Sequence, residues 1–237
     1  MSQPMKITQY KALGFSYYGT LVDRNRGVLH ALRPLLERTA QNVQPDALLQ
    51  LYHALITEER RASPTIGQLK LQCLVHDAIA RSLGIAVDET VDWEQAMTFA
   101  KRVDQWPLYE DVRGALQYLS KFYRLVVVIP TDPSISDALS ERLLLTTDIQ
   151  IVHQPETGHQ ALLDALLAAN LDRYELLPVR SEEEDDPWRD LIDQPVCTLR
   201  RDTRHPWNDT NPCTKSQHCE FASMADLVLA HQNALRL

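Results

Sequence analysis

Three polar side chains follow one another where a short apolar segment meets a glycine. The segment is residues 10–15, and Ser16, Tyr17 and Tyr18 separate it from Gly19. A serine hydroxyl is a nucleophile where a base activates it, and a phenol can donate a proton or a hydrogen bond. No triad spacing in the sequence names a base for the serine. Ser16 is therefore either a nucleophile or a plain hydrogen-bond donor, and the donor role is favoured because it needs no further group.

Polar residues also follow two later apolar segments. Thr131 and Asp132 come after residues 124–130, and Arg180 comes after residues 174–179. Asp132 could act as a general base if it is desolvated, or it could cap the helix that begins near residue 134. Arg180 could bind an anionic or carbonyl-bearing substrate, or it could pair with Asp132 or Asp185, since a buried guanidinium needs a partner.

A second group of candidates would line a binding site rather than perform chemistry. Glu58 and Arg61 lie at the end of a predicted helix, although most of such a charge run is usually solvated. Trp106 and Trp207 lie in predicted loops and suit an apolar, ring-containing substrate. Packing is the alternative role for Trp106. We expect Thr131, Asp185 and these four residues to contact the substrate.

Alternating strands and helices would position these residues. Segments of five to seven apolar, largely β-branched residues predict strands, and segments with helical spacing separate them. The predicted strands are residues 10–15, 124–130, 148–152, 174–179 and 195–199, and the helices between them are residues 110–123, 134–145 and 159–170. This alternation predicts an α/β fold, a Rossmann-like, doubly wound parallel sheet.

An all-helical block interrupts the pattern after the first strand. Four helices are predicted over residues 27–41, 45–62, 66–84 and 92–103. We interpret the block as an inserted cap over the carboxyl edge of the sheet, where open α/β sheets bind their ligands. The predicted domains are a core of residues 1–26 and 105–237 and a cap of residues 27–104.

Composition and charge narrow the classes of partner. The 237 residues carry a formal net charge of −8, and the basic residues are scattered, which argues against nucleic acid. No apolar run is long enough to span a membrane and no signal peptide is evident, so a cytoplasmic protein is expected.

The four cysteines have no CxxC spacing, and Cys213, His218 and Cys219 are a weak metal signal. We expect no metal and no cofactor. The apolar face of the 66–83 helix would permit a homodimer.

Several of these segments resemble the haloacid dehalogenase superfamily, in particular its 2-haloacid dehalogenase branch. "FSYYGTLVD" is similar to the family's F-D-x-Y-G-T-L-x-D, and "CTLRRDTRHPW" to its late strand and following loop. The resemblance implies that Ser16 stands at the position of the nucleophilic aspartate. It places Ile129 and Pro130, ahead of Thr131 and Asp132, at the second motif.

The two remaining motifs of the family also differ in this chain. Residues 153–160, where the family has a lysine, contain none. The acidic loop after the fourth strand falls on residues 179–185, where Arg180 stands at the first acid and Asp185 fits the last. The resemblance therefore implies a kept scaffold with an exchanged set of reactive groups.

The chemistry of the exchanged residues limits the function. A serine that displaced halide would form an ether, which lacks the carbonyl that water attacks in an ester intermediate. Magnesium-dependent phosphoryl transfer would need carboxylates where Ser16 and Arg180 stand. We expect a non-covalent, metal-independent cyclisation, isomerisation or elimination of an apolar small molecule between cap and core, in specialised metabolism. The alternatives are a Ser16-dependent ester or thioester hydrolase and a non-catalytic binding protein.

Overall fold

The protein divides into two compact units. The computed structural model describes residues 6–63, 66–85, 89–129, 142, 149–153, 158–182, 187–188, 194–201 and 218–236. The sheet unit contains the described residues up to Val22 and from Leu108 onward, and the helical unit is Asp23–Pro107. The sequence placed the corresponding boundaries at 26/27 and 104/105.

The sheet unit is built on six parallel strands. In chain order they are β1 (Ala12–Ser16), β2 (Arg124–Ile129), β3 (Ile149–His153), β4 (Leu176–Arg180), β5 (Val196–Leu199) and β6 (His218–Phe221). Their spatial order is β3-β2-β1-β4-β5-β6, so the chain winds outward from β1 in both directions. The five predicted strands and their parallel arrangement are confirmed. The sixth was missed because "HCEF" is short and carries a glutamate and a histidine.

Helices cover both faces of this sheet. They are α6 (Val112–Leu119), α7 (Gly158–Ala168) and α8 (Met224–Ala234). Residues from α7 pack with alternate residues of β2, with one residue each of β1, β3 and β4, and with Trp188 in one hydrophobic cluster. The central strand β2 is buried on both sides, and Val126, Val127 and Val128 have no exposed surface. This explains why its sequence is continuously apolar instead of alternating. The doubly wound fold is confirmed.

The helical unit contains α1 (Arg24–Ala31), α2 (Arg33–Leu36), α3 (Pro45–Ala62), α4 (Gln68–Ser82) and α5 (Glu89–Lys101), followed by a 3-10 helix at Arg102–Gln105. The single helix predicted over residues 27–41 is wrong: the chain forms two shorter helices there. Pro34 has no amide hydrogen to donate to the preceding turn, which accounts for the break. No strand occurs among the described residues of this unit.

The interior of the helical unit joins α4 to its neighbours. Tyr52 of α3 and Gln72 of α4 exchange hydrogen bonds of 3.1 and 3.2 Å, and both residues are buried. The Cys73 thiol lies 3.6 Å from the Met97 sulfur on α5.

The helix predicted over residues 134–145 lies outside the described residues, except for residue 142. Of the helices that the structure describes, none is both long and apolar enough to cross a membrane.

Candidate functional site

The turn after β1 holds the first candidate residues in place with backbone hydrogen bonds. Ser16 ends the strand, and its side chain is on the carboxyl edge of the sheet with 1% of its surface exposed. The Tyr17 carbonyl accepts hydrogen bonds from the amides of Leu21 and Val22, at 3.1 and 3.0 Å. Gly19 has φ 71°, a left-handed conformation that glycine adopts without steric cost. The glycine therefore allows the tight turn that follows Ser16.

The two tyrosines of this turn form one packed pair. The ring centroids of Tyr17 and Tyr18 are 4.9 Å apart at an interplanar angle of 66°, an edge-to-face arrangement. Both residues are buried, Tyr17 almost completely. Tyr17 is therefore packed in the interior of the sheet unit. The predicted roles of both phenols in chemistry stay predictions.

The strand register brings Arg180 level with Ser16. Phe15 of β1 pairs with Val179 of β4, so the next residues, Ser16 and Arg180, are neighbours across the two strands. Arg180 in turn pairs with Thr198 of β5, and its Nε donates to the Thr198 hydroxyl over 3.5 Å. A serine, an arginine and a threonine thus occupy equivalent levels of three adjacent strands at their carboxyl ends.

A second arginine supports the turn from outside the site. The guanidinium of Arg201, two residues after the end of β5, donates from Nε and Nη2 to the Thr20 carbonyl at 3.1 and 2.8 Å. Its Nη1 donates to both carboxylate oxygens of Asp111, at 2.7 and 2.9 Å. Its centre also lies 4.2 Å from the centroid of the Tyr109 ring. Arg201 therefore ties the β1 turn to the segment that precedes α6.

The carboxylate of Asp111 extends this network to the C-terminal helix. Asp111 precedes α6, and its Oδ2 accepts hydrogen bonds from the amides of Met224 and Ala225, at 2.8 and 3.4 Å. These amides belong to the first turn of α8, where a negative charge is favourable. The side chains of Arg201 and Asp111 are only 8% and 20% exposed. Four segments that are distant in sequence, those of Thr20, Asp111, Arg201 and Met224, are thereby joined by one part-buried ion pair.

Sequence reasoning did not identify Arg201 or Asp111. It treated Arg201 as one of several scattered basic residues and Asp111 as the start of a helix. Their positions in the sequence could have predicted the pair. Arg201 follows β5 and Asp111 precedes α6, so both lie at the carboxyl edge of the sheet. Opposite charges at the same edge of a parallel sheet are candidates for a pair, and the two lie 90 residues apart along the chain.

The remaining predicted site residues are distributed as follows. Glu58 and Arg61 are exposed in the last turns of α3, and Trp106 is buried with its ring against Gly27 in the helical unit. Their predicted contacts with substrate stay predictions, and the packing alternative accounts for the position of Trp106. Thr131, Asp132, Asp185 and Trp207 lie outside the described residues.

The donor set at the strand ends does not fit a magnesium ion. Mg²⁺ requires carboxylate or other oxygen ligands in near-octahedral geometry. Ser16 ends β1, the positive charge of Arg180 ends β4, and the nearby Glu182 carboxylate pairs with Arg200 at 2.9 Å. Within the described part of the chain, no three His, Cys, Asp or Glu side chains come together as a metal site.

The strand ends carry two hydroxyl groups, of Ser16 and Thr198, and one positive charge, that of Arg180. Arg180 lies level with Ser16 of β1 on one side and with Thr198 of β5 on the other, and its Nε donates to the Thr198 hydroxyl. Such a set can stabilise negative charge that develops on an oxygen atom of a bound molecule. Val128, the register partner of Ser16 on β2, is completely buried, and Ser16 itself is 1% exposed.

Solved structures share this architecture over almost the whole chain. The defluorinating L-2-haloacid dehalogenase Rha0230 matches with a TM-score of 0.72 at 15% identity, over 95% of this chain and 98% of its own. The magnesium-bound putative HAD-hydrolase YfnB from Bacillus subtilis matches with a TM-score of 0.68 at 14% identity, over 94% and 99%. A haloacid dehalogenase-like family hydrolase from Xanthomonas campestris matches with a TM-score of 0.60 at 18% identity, over 96% and 94%.

Comparison by sequence gives no further relative. No protein-family model matches the chain, and no curated protein sequence shows significant similarity to it. At 14 to 18% identity, the structural matches establish the shared fold and leave the reaction open. The chain therefore has the haloacid dehalogenase fold, as its sequence motifs predicted.

Proposed function

We propose that this protein catalyses a non-covalent, metal-independent reaction of a fairly apolar small molecule at the carboxyl edge of its sheet. Cyclisation, isomerisation and elimination are the reaction types that fit, because they need positioning and charge stabilisation instead of a covalent intermediate. The observation that carries the proposal is the position of Arg180 at the end of β4, one residue after the Phe15–Val179 register partners and therefore level with Ser16. In this proposal the substrate is a product of specialised metabolism.

The chemistry of that pair supports the proposal. A carbonyl oxygen that gains negative charge in the transition state would be stabilised by the guanidinium and by neighbouring hydroxyl donors. The same positive charge opposes the binding of a divalent cation at the end of β4. Ser16 and its register partner Val128 are buried, and at a buried position such interactions are stronger than in water because the local dielectric is low.

Assays of the reactions associated with the fold test the first half of the proposal. The substrates are L-2-chloropropionate for halide release, p-nitrophenyl phosphate with and without Mg²⁺ for phosphate release, and p-nitrophenyl butyrate for ester cleavage. We expect the wild-type rates to equal those of the Ser16→Ala variant in all three assays. Halide release or ester cleavage that Ser16→Ala abolishes, or Mg²⁺-stimulated phosphate release, would contradict the proposal.

Ligand binding tests the second half. A panel of aromatic and cyclic enones is compared with hydrocarbon analogues that lack the carbonyl, by thermal shift. We expect enones to raise the melting temperature more than their analogues do, and Arg180→Met to remove that difference. Arg173→Met is the matched control, because Arg173 is exposed, precedes β4 and lies over the Tyr174 ring at 4.6 Å. Equal shifts in both variants would argue against a role for Arg180.

A further inference from the structure

Two cysteines occupy paired positions on the last two strands of the sheet. Cys197 of β5 and Cys219 of β6 are register partners in the parallel ladder, so their side chains project from the same face. Neighbouring strands lie about 4.8 Å apart, which falls within the Cα separation of about 4.4–6.8 Å that a disulfide bridges. Both cysteines are free thiols in the structure.

The two thiols already interact, and they differ in chemical character. The Cys197 thiol donates a hydrogen bond to the Cys219 sulfur, which lowers the pKa of Cys219 to about 7 although burial opposes the shift. The same hydrogen bond, with burial and the negative charge of Cys219, raises the pKa of Cys197 well above its usual value. Cys219 is therefore the thiol of the pair that ionises more readily, and Cys197 is its protonated neighbour.

The two sulfurs also differ in access. Cys197 is completely buried on β5, whereas Cys219 is only half-buried on β6, the outermost strand of the sheet. A small oxidant reaches the edge strand before it reaches the interior. An accessible thiolate next to a second thiol is the arrangement in which an oxidised cysteine is captured as a disulfide.

We propose that Cys219 and Cys197 form a peroxide-reactive pair that closes to an intramolecular disulfide between β6 and β5. The Cys219 thiolate attacks one peroxide oxygen, the O–O bond breaks, and hydroxide leaves as the sulfenic acid forms. The Cys197 sulfur then attacks the Cys219 sulfur, the S–O bond breaks, and the hydroxyl group leaves with the Cys197 proton as water. Two thiols and one hydrogen peroxide thus give one disulfide and two waters. This reaction is independent of the proposed function.

The other two cysteines provide internal controls. Cys73 lies in the helical unit, where its sulfur contacts Met97. Cys213 lies outside the described residues but close to Cys219 in sequence, so it is the competing partner. Trypsin separates the relevant cysteines, because cleavage at arginine and lysine leaves Cys197 in residues 190–200, Cys213 in 205–215 and Cys219 in 216–236.

Peptide mapping after exposure of the whole protein to hydrogen peroxide tests the proposal. We expect two of the four thiols to be lost, the peptides 190–200 and 216–236 to appear cross-linked, and a thiol reductant to reverse both changes. Cys73→Ala and Cys213→Ala should retain the cross-link. Cys197→Ala should instead accumulate a dimedone-reactive sulfenic acid on Cys219.

Three results would overturn the proposal. They are a cross-link of 216–236 to 205–215 in place of 190–200, a cross-link between two molecules only, and the survival of all four thiols in folded protein. Circular dichroism verifies that the oxidised protein keeps its fold. If Cys197→Ala does not fold, the wild-type map and the Cys213→Ala map decide the question, because neither requires a change in β5.

Discussion

Two consecutive arginines follow β5, and their surroundings differ. A comparison of the two therefore shows which contacts stabilise the turn after β1. Arg201 is buried in its network with Asp111 and the Thr20 carbonyl. Arg200 is half exposed and pairs with Glu182 and Glu220 at 2.9 and 3.1 Å. Exposed ion pairs contribute little to stability, whereas removal of one partner of a buried pair leaves an uncompensated charge. Arg201 is therefore a positioning residue for the turn that carries Ser16, Tyr17 and Tyr18.

We expect Arg201→Met to lower the free energy of unfolding by about 2 kcal/mol, because the part-buried Asp111 carboxylate and the Thr20 carbonyl would lose charge-assisted hydrogen bonds. The matched change Arg200→Met should cost less than about 1 kcal/mol. Urea denaturation measures both. In the double variant Arg201→Met/Asp111→Asn, part of the loss should be recovered. Equal effects of the two arginine changes would show that the buried network does not hold the turn.

At the level of single residues, the sequence predicted correctly the positions that depend on one strand alone. Ser16 was predicted at the end of β1 and Arg180 after residues 174–179, and the structure has both at strand ends. The pair of Arg201 and Asp111 was missed because it depends on which loops meet at the sheet edge. That meeting is set by the strand order and is not visible in local patterns.

The packing of the first strand requires a residue without a Cβ atom at position 14. Gly14 lies in the middle of β1, and a Cβ built on it would be 2.7 and 2.8 Å from two ring carbons of Trp188. Trp188 is almost completely buried and belongs to the cluster between α7 and the sheet. The glycine therefore leaves room for the indole, which fills this face of the sheet.

Gly14→Ala should destabilise the protein by about 2 kcal/mol, because the ring or the strand must move to admit the methyl group. Gly114→Ala is the matched control: Gly114 is an exposed residue of α6, and nothing lies within 4 Å of its added Cβ. That change should stabilise the protein by about 0.5–1 kcal/mol through helix propensity. Thermal denaturation compares them. If Gly14→Ala were neutral, the close approach of Trp188 would not constrain β1.

At the level of elements, the predicted pattern worked best for long or fully buried segments. The helix predicted over residues 45–62 is found as Pro45–Ala62, and the continuous run of β2 was predicted to within one residue. The short edge strand β6 was missed because little of its stability comes from its own composition. The break between α1 and α2 follows from Pro34, whose effect on the preceding turn was overlooked.

At the scale of the whole molecule, the α/β alternation and the motif resemblance together predicted the fold that the structural matches establish. The reaction was harder to predict from the sequence than the fold, because it depends on the identity of a few residues at the strand ends. A shared fold at low identity supports many reactions, so the reaction must be argued from Ser16, Arg180 and their neighbours.

The stability of the whole protein should depend on pH through one buried histidine that joins two helices. His231 of α8 is almost completely buried, and its Nδ1 is hydrogen-bonded to the Tyr118 hydroxyl of α6 at 3.1 Å. The rings of Phe122 and Tyr123 surround it, with centroids 4.8 and 5.1 Å away. Burial among these rings lowers the pKa of His231, because the charged imidazolium is poorly solvated there.

The sign of the effect follows from this lowered pKa. Well above pH 6.5 the histidine is neutral in both the folded and the unfolded chain, so its contribution to stability is constant. As the pH falls from about 6.5 towards the lower folded pKa, the unfolded chain binds a proton that the folded chain excludes. Over that window the free energy of unfolding should fall by at most about 1.4 kcal/mol per pH unit for this one group.

Urea midpoints at pH 7.5 and pH 5.5 measure the loss in the wild type and in two variants. His231→Gln removes the titrating group, so it should reduce the difference between the two pH values even if it lowers stability at both. His30→Gln is the control, because His30 is exposed on α1, and it should keep the wild-type difference. An unchanged pH difference in His231→Gln would mean that other groups control the acid sensitivity. A reduced difference would identify the contact between α6 and α8 as the point where acid destabilises the sheet unit.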